Sequence, residues 1–200
     1  MNERWYIDEC SSPRAGIVLA HGAGSNANAP ILRAVSKELT AAGIVVMRVN
    51  LAFRLARPSG PPHPSTGAKD RDGLREAVAE LRRVGGGIPI LLGGHSYGGR
   101  QATMLAAEDA AAADGLVLLS YPLHPPDKPA QLRTAHFPSL RTPAVFVHGD
   151  RDPFGSPDEM RAALALIAGP AKLVIAERRG HDLGGAKPPS IAGHVDGLLG

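Results

Sequence analysis

The sequence predicts a doubly wound α/β domain, a mostly parallel sheet flanked by helices. Two observations carry this. The apolar runs are short, continuous and rich in branched residues, without polar alternation, as in strands buried on both faces. The stretches between them repeat apolar residues at helical spacing, so strand and helix alternate along the chain.

Taken in order, Arg4-Trp5-Tyr6-Ile7 reads as an added edge strand, with Trp5 and Tyr6 as its packing. Strands follow at 16–20, 44–47, 88–92, 116–119, 144–147 and 172–176. Residues 30–42 place Ile31, Leu32, Val35 and Leu39 on one helical stripe. Residues 69–84 turn Leu74, Val78 and Leu81 inward and Arg71, Arg75 and Arg82 outward. Helices at 98–112 and 157–168 are Ala-rich. A weaker pattern places a last helix at 188–199. Two proline-rich stretches break the rhythm, 52–67 with four prolines and 121–143 with six. Each follows a strand, where ligand-contacting loops sit in open α/β sheets.

Length and composition bound the function. The 200 residues suit one domain spanning 1–200, large enough to bury its core without metal or disulfide. Hydrophobic residues make up 44% and charged residues 20%, with a mean hydropathy of −0.07, values of a folded soluble protein. No apolar run approaches the roughly 18 residues of a membrane span. Residues 1–9 hold acids and no apolar stretch, which reads as no signal peptide. Cys10 is the only cysteine, which excludes an internal disulfide and a cysteine-based zinc cluster. Cys10 itself reads as a small buried hydrophobe. The expected compartment is the cytoplasm. The formal charge is +3, but the arginines are dispersed and aromatics are only 4%, so no nucleic-acid partner is implied.

The sharpest motif is Gly94-His95-Ser96-Tyr97-Gly98, a G-x-S-x-G string between a strand and a helix. The turn is sharp, so a side chain at 94 or 98 would collide with the neighbouring strand and helix. Ser96 is then exposed as a nucleophile with a helix N-terminus behind it. A serine hydroxyl needs a base. Gly180-His181 follows the last strand and supplies it. The acid lies in Val147-His148-Gly149-Asp150-Arg151-Asp152: Asp152 is preferred, and Asp150 reads as holding the turn. The spacings, 56 residues from Ser96 to Asp152 and 29 on to His181, each leave room for a strand–helix unit. Ala20-His21-Gly22-Ala23-Gly24-Ser25 reads as an oxyanion loop, with the N–H groups of Ala23 and Tyr97 as donors and Gly24 as the alternative to Ala23.

On these residues the chain resembles the α/β-hydrolase superfamily, close to the compact dienelactone-hydrolase-like enzymes. Tyr121-Pro122-Leu123-His124-Pro125-Pro126, Leu132-Arg133-Thr134 and the string from His148 to Gly155 resemble one branch of it. That branch holds a testis-expressed hydrolase-like protein, a subunit of the NSL chromatin complex and many small bacterial proteins. The Ala/Arg-rich composition resembles the bacterial members. The resemblance implies a compact fold and a Ser96–His181–Asp152 triad, but no particular substrate. At this length no cap of several helices fits between 121 and 143, so a shallow, open site is expected.

The resulting expectation is a serine hydrolase that cleaves a small ester or thioester through an acyl-enzyme. It has no cofactor and no metal, and its partner is the small-molecule substrate. The alternatives are acyl transfer or amide hydrolysis on the same triad, and a non-catalytic interaction subunit. A strained elbow argues against the last, since a scaffold has no need of it. Arg100 reads as a structural ion pair ahead of a holder of a substrate carboxylate. Tyr121 and His124 are candidates to reach the pocket. His63, His124, His136 and His194 otherwise read as surface loop residues.

Overall fold

The computed structural model describes residues 3–200. It is built on seven strands: β1 (Trp5–Asp8), β2 (Ala15–Ala20), β3 (Ile44–Val49), β4 (Ile90–His95), β5 (Gly115–Leu119), β6 (Ala144–Gly149) and β7 (Ala171–Ala176). They lie in the order β1-β3-β2-β4-β5-β6-β7, and only β1 is antiparallel to its neighbour. The helices are α1 (Pro30–Ala41), α2 (Ala52–Ala56), α3 (Gly67–Val84), α4 (Tyr97–Glu108), α5 (Pro157–Leu164) and α6 (Ala192–Leu199).

Strand alternation divides the core into two layers. Ile17 and Leu19 of β2 pack with Ile31, Leu32, Val35 and Leu39 of α1, in the layer that also takes Val195 of α6. Val18 and Ala20 point the other way, into a layer built from Leu74, Val78 and Leu81 of α3, Leu105 of α4 and Met160 of α5. Both faces of the central strands are covered, which is why their sequences show no polar alternation. This is the α/β-hydrolase fold, and among the described residues no cap domain covers the sheet's carboxyl end.

From β2 the chain crosses to β3 on one side, then to β4 on the other. The sheet's switch point therefore lies between the carboxyl ends of β2 and β4, where open α/β sheets open a crevice.

Element ends follow local chemistry. β4 starts at Ile90 because Pro89 has no N–H to give the ladder; its carbonyl accepts from Gly16 N at 2.9 Å. The strand then runs on through Gly93 and Gly94, past the expected end at 92. The helix expected over 98–112 stops at Glu108, where Asp109 accepts from Ala111 N at 3.0 Å and turns the chain. α5 opens with a capping box between Ser156 and Glu159 and ends at Leu164, short of 168. α6 starts at Ala192, after Pro188 and Pro189. The first proline-rich stretch holds α2 and a 3-10 turn, Pro64–Thr66, which its composition conceals.

Two expectations are corrected. Cys10 is half-buried rather than buried, because it lies in the largely exposed connection between β1 and β2. Arg71 does not face outward with Arg75 and Arg82. It leans onto α4, where its Nε sits 2.8 Å from Glu108 Oε1 and its side chain is 16% exposed.

The edge strand β1 is fastened by one cation. Arg48 of β3 donates to both oxygens of Asp8, at 2.6 and 3.2 Å, and to Ala27 O and Asn28 Oδ1 at 2.8 and 2.9 Å. Arg48 is buried, so removing its counter-ion strands a desolvated charge. Asp8→Ala is expected to lower stability by about 2 kcal/mol, with the denaturation midpoint shifted and the slope unchanged. Asp158→Ala, which breaks an exposed pair with Arg161, should change it by under about 0.5 kcal/mol.

Candidate active site

Ser96 stands alone between β4 and α4, with φ 52° and ψ −117°. This left-handed backbone costs a non-glycine residue about 1–3 kcal/mol, so the surroundings must enforce it. They do so by close approach. A Cβ at Gly94 would lie 2.3 Å from Ala20 O, and one at Gly98 2.6 Å from the Ala20 carbonyl. Only glycines let β2 come this near the turn. Ser96 N donates to Leu119 O at 2.9 Å, and Arg100 N donates to Ser96 O at 3.0 Å. The turn is held from both sides.

The structure brings Ser96, His181 and Asp152 together. Ser96 Oγ lies 2.8 Å from His181 Nε2. His181 Nδ1 lies 2.8 and 3.0 Å from the two oxygens of Asp152. The Asp152 side chain is fully buried and also accepts from Phe154 N at 2.9 Å. Asp150 does not reach His181. Its carboxylate accepts from Arg179 N at 3.1 Å, so it holds the neighbouring loop rather than its own turn.

His181 is clasped on two sides. The Phe154 ring lies 4.2 Å from its centroid at 33°. His95 lies 5.2 Å away and donates from Nε2 to His181 O at 2.8 Å. Burial lowers the His95 pKa below the usual imidazole value. His148, near the end of β6 and four residues before Asp152, donates to Gly155 O at 2.7 Å, and its Nδ1 sits 3.9 Å from Asp152. Burial lowers its pKa too, so it gives the following loop shape rather than charge.

The loop after β2 lies against the elbow. Ser25 N donates to Gly22 O at 3.1 Å, closing a turn around Ala23 and Gly24. Among the described residues neither Ala23 N nor Tyr97 N donates a hydrogen bond, and both residues line the cleft at Ser96; Gly24 does not line it. Three buried side chains fix this region. His21 donates from Nδ1 to Gly22 O at 2.8 Å and accepts from Leu51 N at Nε2, 3.2 Å. Arg54, 3% exposed, donates to Ala23 O at 2.9 Å, Ser25 O at 2.7 Å and Gly60 O at 3.0 Å. Asp70 accepts from Tyr97 Oη at 2.7 Å and Phe53 N at 3.0 Å. Burial raises the Asp70 pKa and pushes the Tyr97 phenol up, so the phenol stays the donor.

The cleft has a volume of about 740 Å³. Both proline-rich stretches contribute walls, the first through Pro61, His63 and Pro64, the second through Pro122 and Arg133. Tyr121 and His124 are not among its lining residues. Tyr121 is buried, donating to Arg133 O at 2.6 Å. His124 is also buried and donates to Pro125 O at 2.8 Å, so it is not a surface residue either. His136 is half-buried against Thr103, at 2.8 Å. Arg100 lines the cleft and makes no ion pair among the described residues, against the expectation of a structural one. His21, Arg54, Asp70, His95 and Phe154 carried no signal of their own in the sequence. Only the neighbourhoods of His95 and Phe154, beside Ser96 and Asp152, could have marked them.

A family model described as an alpha/beta hydrolase domain matches residues 13–192. Among solved structures, the chain is similar to a dienelactone hydrolase from Anabaena variabilis ATCC 29413, with 21% identity, a TM-score of 0.73, and 97% of this chain and 87% of that one covered. It is also similar to an alpha-beta serine hydrolase homologue from Coxiella burnetii, with 18% identity, a TM-score of 0.71, and coverage of 98% and 88%. Est1E from Butyrivibrio proteoclasticus matches at 16% identity, with a TM-score of 0.72 and coverage of 98% and 90%. At these identities the three structures support the fold. Among the described residues no helix is long and apolar enough to cross a membrane.

One buried and one half-buried imidazole make stability pH-dependent. Burial brings His21 down to about 4, and burial with the nearby Arg100 and Arg71 charges brings His136 to about 4, against 6.5 for a free imidazole. The folded state keeps them neutral where the unfolded chain takes up protons. Their contribution is therefore complete above about pH 6.5 and is lost as the pH falls toward about 4. The melting temperature is expected to drop by several degrees from about pH 7 to about pH 5. In His136→Gln, which keeps a donor for Thr103, calorimetry should show a shallower slope over that window.

Proposed function

The chain belongs to the alpha/beta hydrolase family, and from that premise we propose that it is a serine hydrolase cleaving a small ester or thioester. The observation that carries this reading is the continuous line Ser96 Oγ–His181 Nε2 and His181 Nδ1–Asp152, at 2.8 Å for each contact. It starts from a serine held at φ 52°. The named neighbours, a dienelactone hydrolase and a serine hydrolase homologue, are consistent with it. The strings around Tyr121, Arg133 and His148 further support a place in the branch that holds the testis-expressed hydrolase-like protein and the NSL subunit.

The geometry gives each group its part. Asp152 accepts from Nδ1–H and so keeps the Nε2 lone pair on the serine. Ser96 Oγ attacks the substrate carbonyl carbon while its proton passes to Nε2. The carbonyl oxygen becomes an oxyanion and takes hydrogen bonds from the N–H groups of Ala23 and Tyr97. Such a preorganised donor is worth roughly 10²–10³ in rate. The tetrahedral intermediate collapses, the C–O or C–S bond breaks, and the imidazolium returns its proton to the leaving alcohol or thiol. A water then gives its proton to Nε2, attacks the acyl-Ser96 ester and releases the acid. The imidazolium finally reprotonates Ser96. The buried Asp152 carboxylate stabilises each imidazolium without taking the proton.

The test is turnover of a short-chain aryl ester. Ser96→Ala should abolish it, and labelling by a fluorophosphonate should vanish with it, while the melting temperature stays near that of the parent. Asp152→Asn should lower kcat by about 10⁴, because the amide favours the wrong imidazole tautomer. Asp150→Asn should retain most of the rate. Undiminished turnover in Ser96→Ala would refute the nucleophile. A parent protein that the fluorophosphonate fails to label would favour the non-catalytic reading.

A further inference from the structure

The cleft beside Ser96 is lined by three arginines, Arg71, Arg100 and Arg133, and by no carboxylate among the described residues. They are not equivalent. Arg71 is paired by charge: its Nε sits 2.8 Å from Glu108 Oε1, though not aligned as a hydrogen bond, and its Nη1 donates to Gln101 Oε1 at 3.1 Å. Arg133 has one donor on Pro122 O, at 3.1 Å, and no ion pair. Arg100 has no ion pair either: its Nε is buried and meets no acceptor, and its guanidinium has only the neutral Tyr121 phenol beside it.

This arrangement is costly in a protein left to itself. A buried guanidinium donor without an acceptor forfeits hydration and regains nothing. Two uncompensated guanidinium groups in one cleft also repel each other. Burial and then the charge of Arg100 lower the Arg133 pKa, and the charges of Arg100 and Arg71 add to burial in lowering His136. Elsewhere the fold satisfies its buried arginines fully, Arg54 with backbone carbonyls and Arg48 with Asp8. The exception lies where substrate would bind. Arg100, in the first turn of α4, follows Ser96 by four residues and is tied to it by the Arg100 N–Ser96 O bond at 3.0 Å, so the two lie close together at the mouth of the helix.

We propose that Arg100 and Arg133 form an oxyanion-binding subsite, so that the substrate is an ester or thioester carrying a carboxylate or phosphate group besides the bond to be cleaved. The substrate class rests on the hydrolase reading; the anion site itself does not. A carboxylate or phosphate would meet the forked donors of two guanidinium groups and remove their mutual repulsion. It would also hold the scissile carbonyl at a fixed distance from Ser96, turning remote binding energy into orientation.

The experiment compares two 4-nitrophenyl esters of equal chain length, one with an acyl chain ending in a carboxylate and the other in the methyl ester of that carboxylate. The parent enzyme is expected to prefer the anionic ester in kcat/KM by about tenfold or more, the worth of one charge-assisted hydrogen-bond pair. Added salt should erode the preference. Arg100→Gln and Arg133→Gln should each reduce the ratio, and the double variant should bring it to about one. Arg161→Gln, the same charge change on the exposed face of α5, should leave the ratio intact. A second readout needs no turnover. Glutarate or inorganic phosphate should raise the melting temperature of Ser96→Ala and fail to do so when Arg100→Gln and Arg133→Gln are added; the more effective anion identifies the group bound. A ratio of one or less in the parent, or a preference that survives the double variant, overturns the proposal. If neither ester is cleaved and Ser96 is not labelled, the hydrolase reading falls and the melting data decide the subsite. Anion stabilisation that depends on the arginines keeps it, and no stabilisation by either anion overturns it.

Discussion

The carboxyl end of the sheet depends on one steric contact, the backbone of Ala20 pressed against Gly94 and Gly98. Two adjacent parallel strands, β2 and β4, normally keep their following turns apart by the width of a side chain. Here the side chains are missing on the β4 side, and the turn after β4 folds back over β2. That closeness forces Ser96 into its left-handed conformation, lifts its hydroxyl out of the sheet and brings the loop after β2 alongside. The candidate nucleophile, the helix N-terminus behind it and the two free N–H groups are consequences of one packing arrangement.

Around that contact the protein builds with neutral or locally satisfied groups. His21 and His95 are held uncharged by burial, each tied to a backbone carbonyl. Arg54 spreads its charge over carbonyls of the loop after β2 and the first proline-rich stretch, stitching two irregular segments together. Asp70 joins the phenol of Tyr97 to the start of α2. The fixed dipoles that would meet a developing oxyanion are therefore anchored by buried groups whose hydrogen bonds are satisfied locally. The arginines of the cleft depart from this pattern, since Arg100 and Arg133 are left with their charge unspent.

The legible part of the site was the part whose chemistry is local. G-x-S-x-G reads as an elbow because the requirement for glycine at 94 and 98 belongs to the turn itself. Gly180-His181 and Asp152 were legible because each follows a strand, and strand ends are where loops meet. Asp150 and Asp152 both follow β6, so position does not separate them; the His-Gly-x-x-Asp arrangement favours Asp152, and the structure puts only Asp152 on His181. Arg100 was misjudged for the complementary reason. Its counter-ion would have had to come from a distant segment, and the sequence holds enough acids for one to seem available. The supporting shell failed to show for the same cause. Asp70 lies 27 residues from Tyr97, and Arg54 lies 31 from Ala23.

Sequence alone determined the layered α/β order, the parallel sheet and the candidates Ser96, Asp152 and His181. Those follow from the period of hydrophobic residues and from turn chemistry, which act over a few neighbours. Tertiary structure decided which face of α3 Arg71 uses, that Tyr121 and His124 are buried away from the cleft, and which arginines lack a partner. Those outcomes depend on packing between segments tens of residues apart, where hydrogen bonds and charges are shared only after the chain has closed.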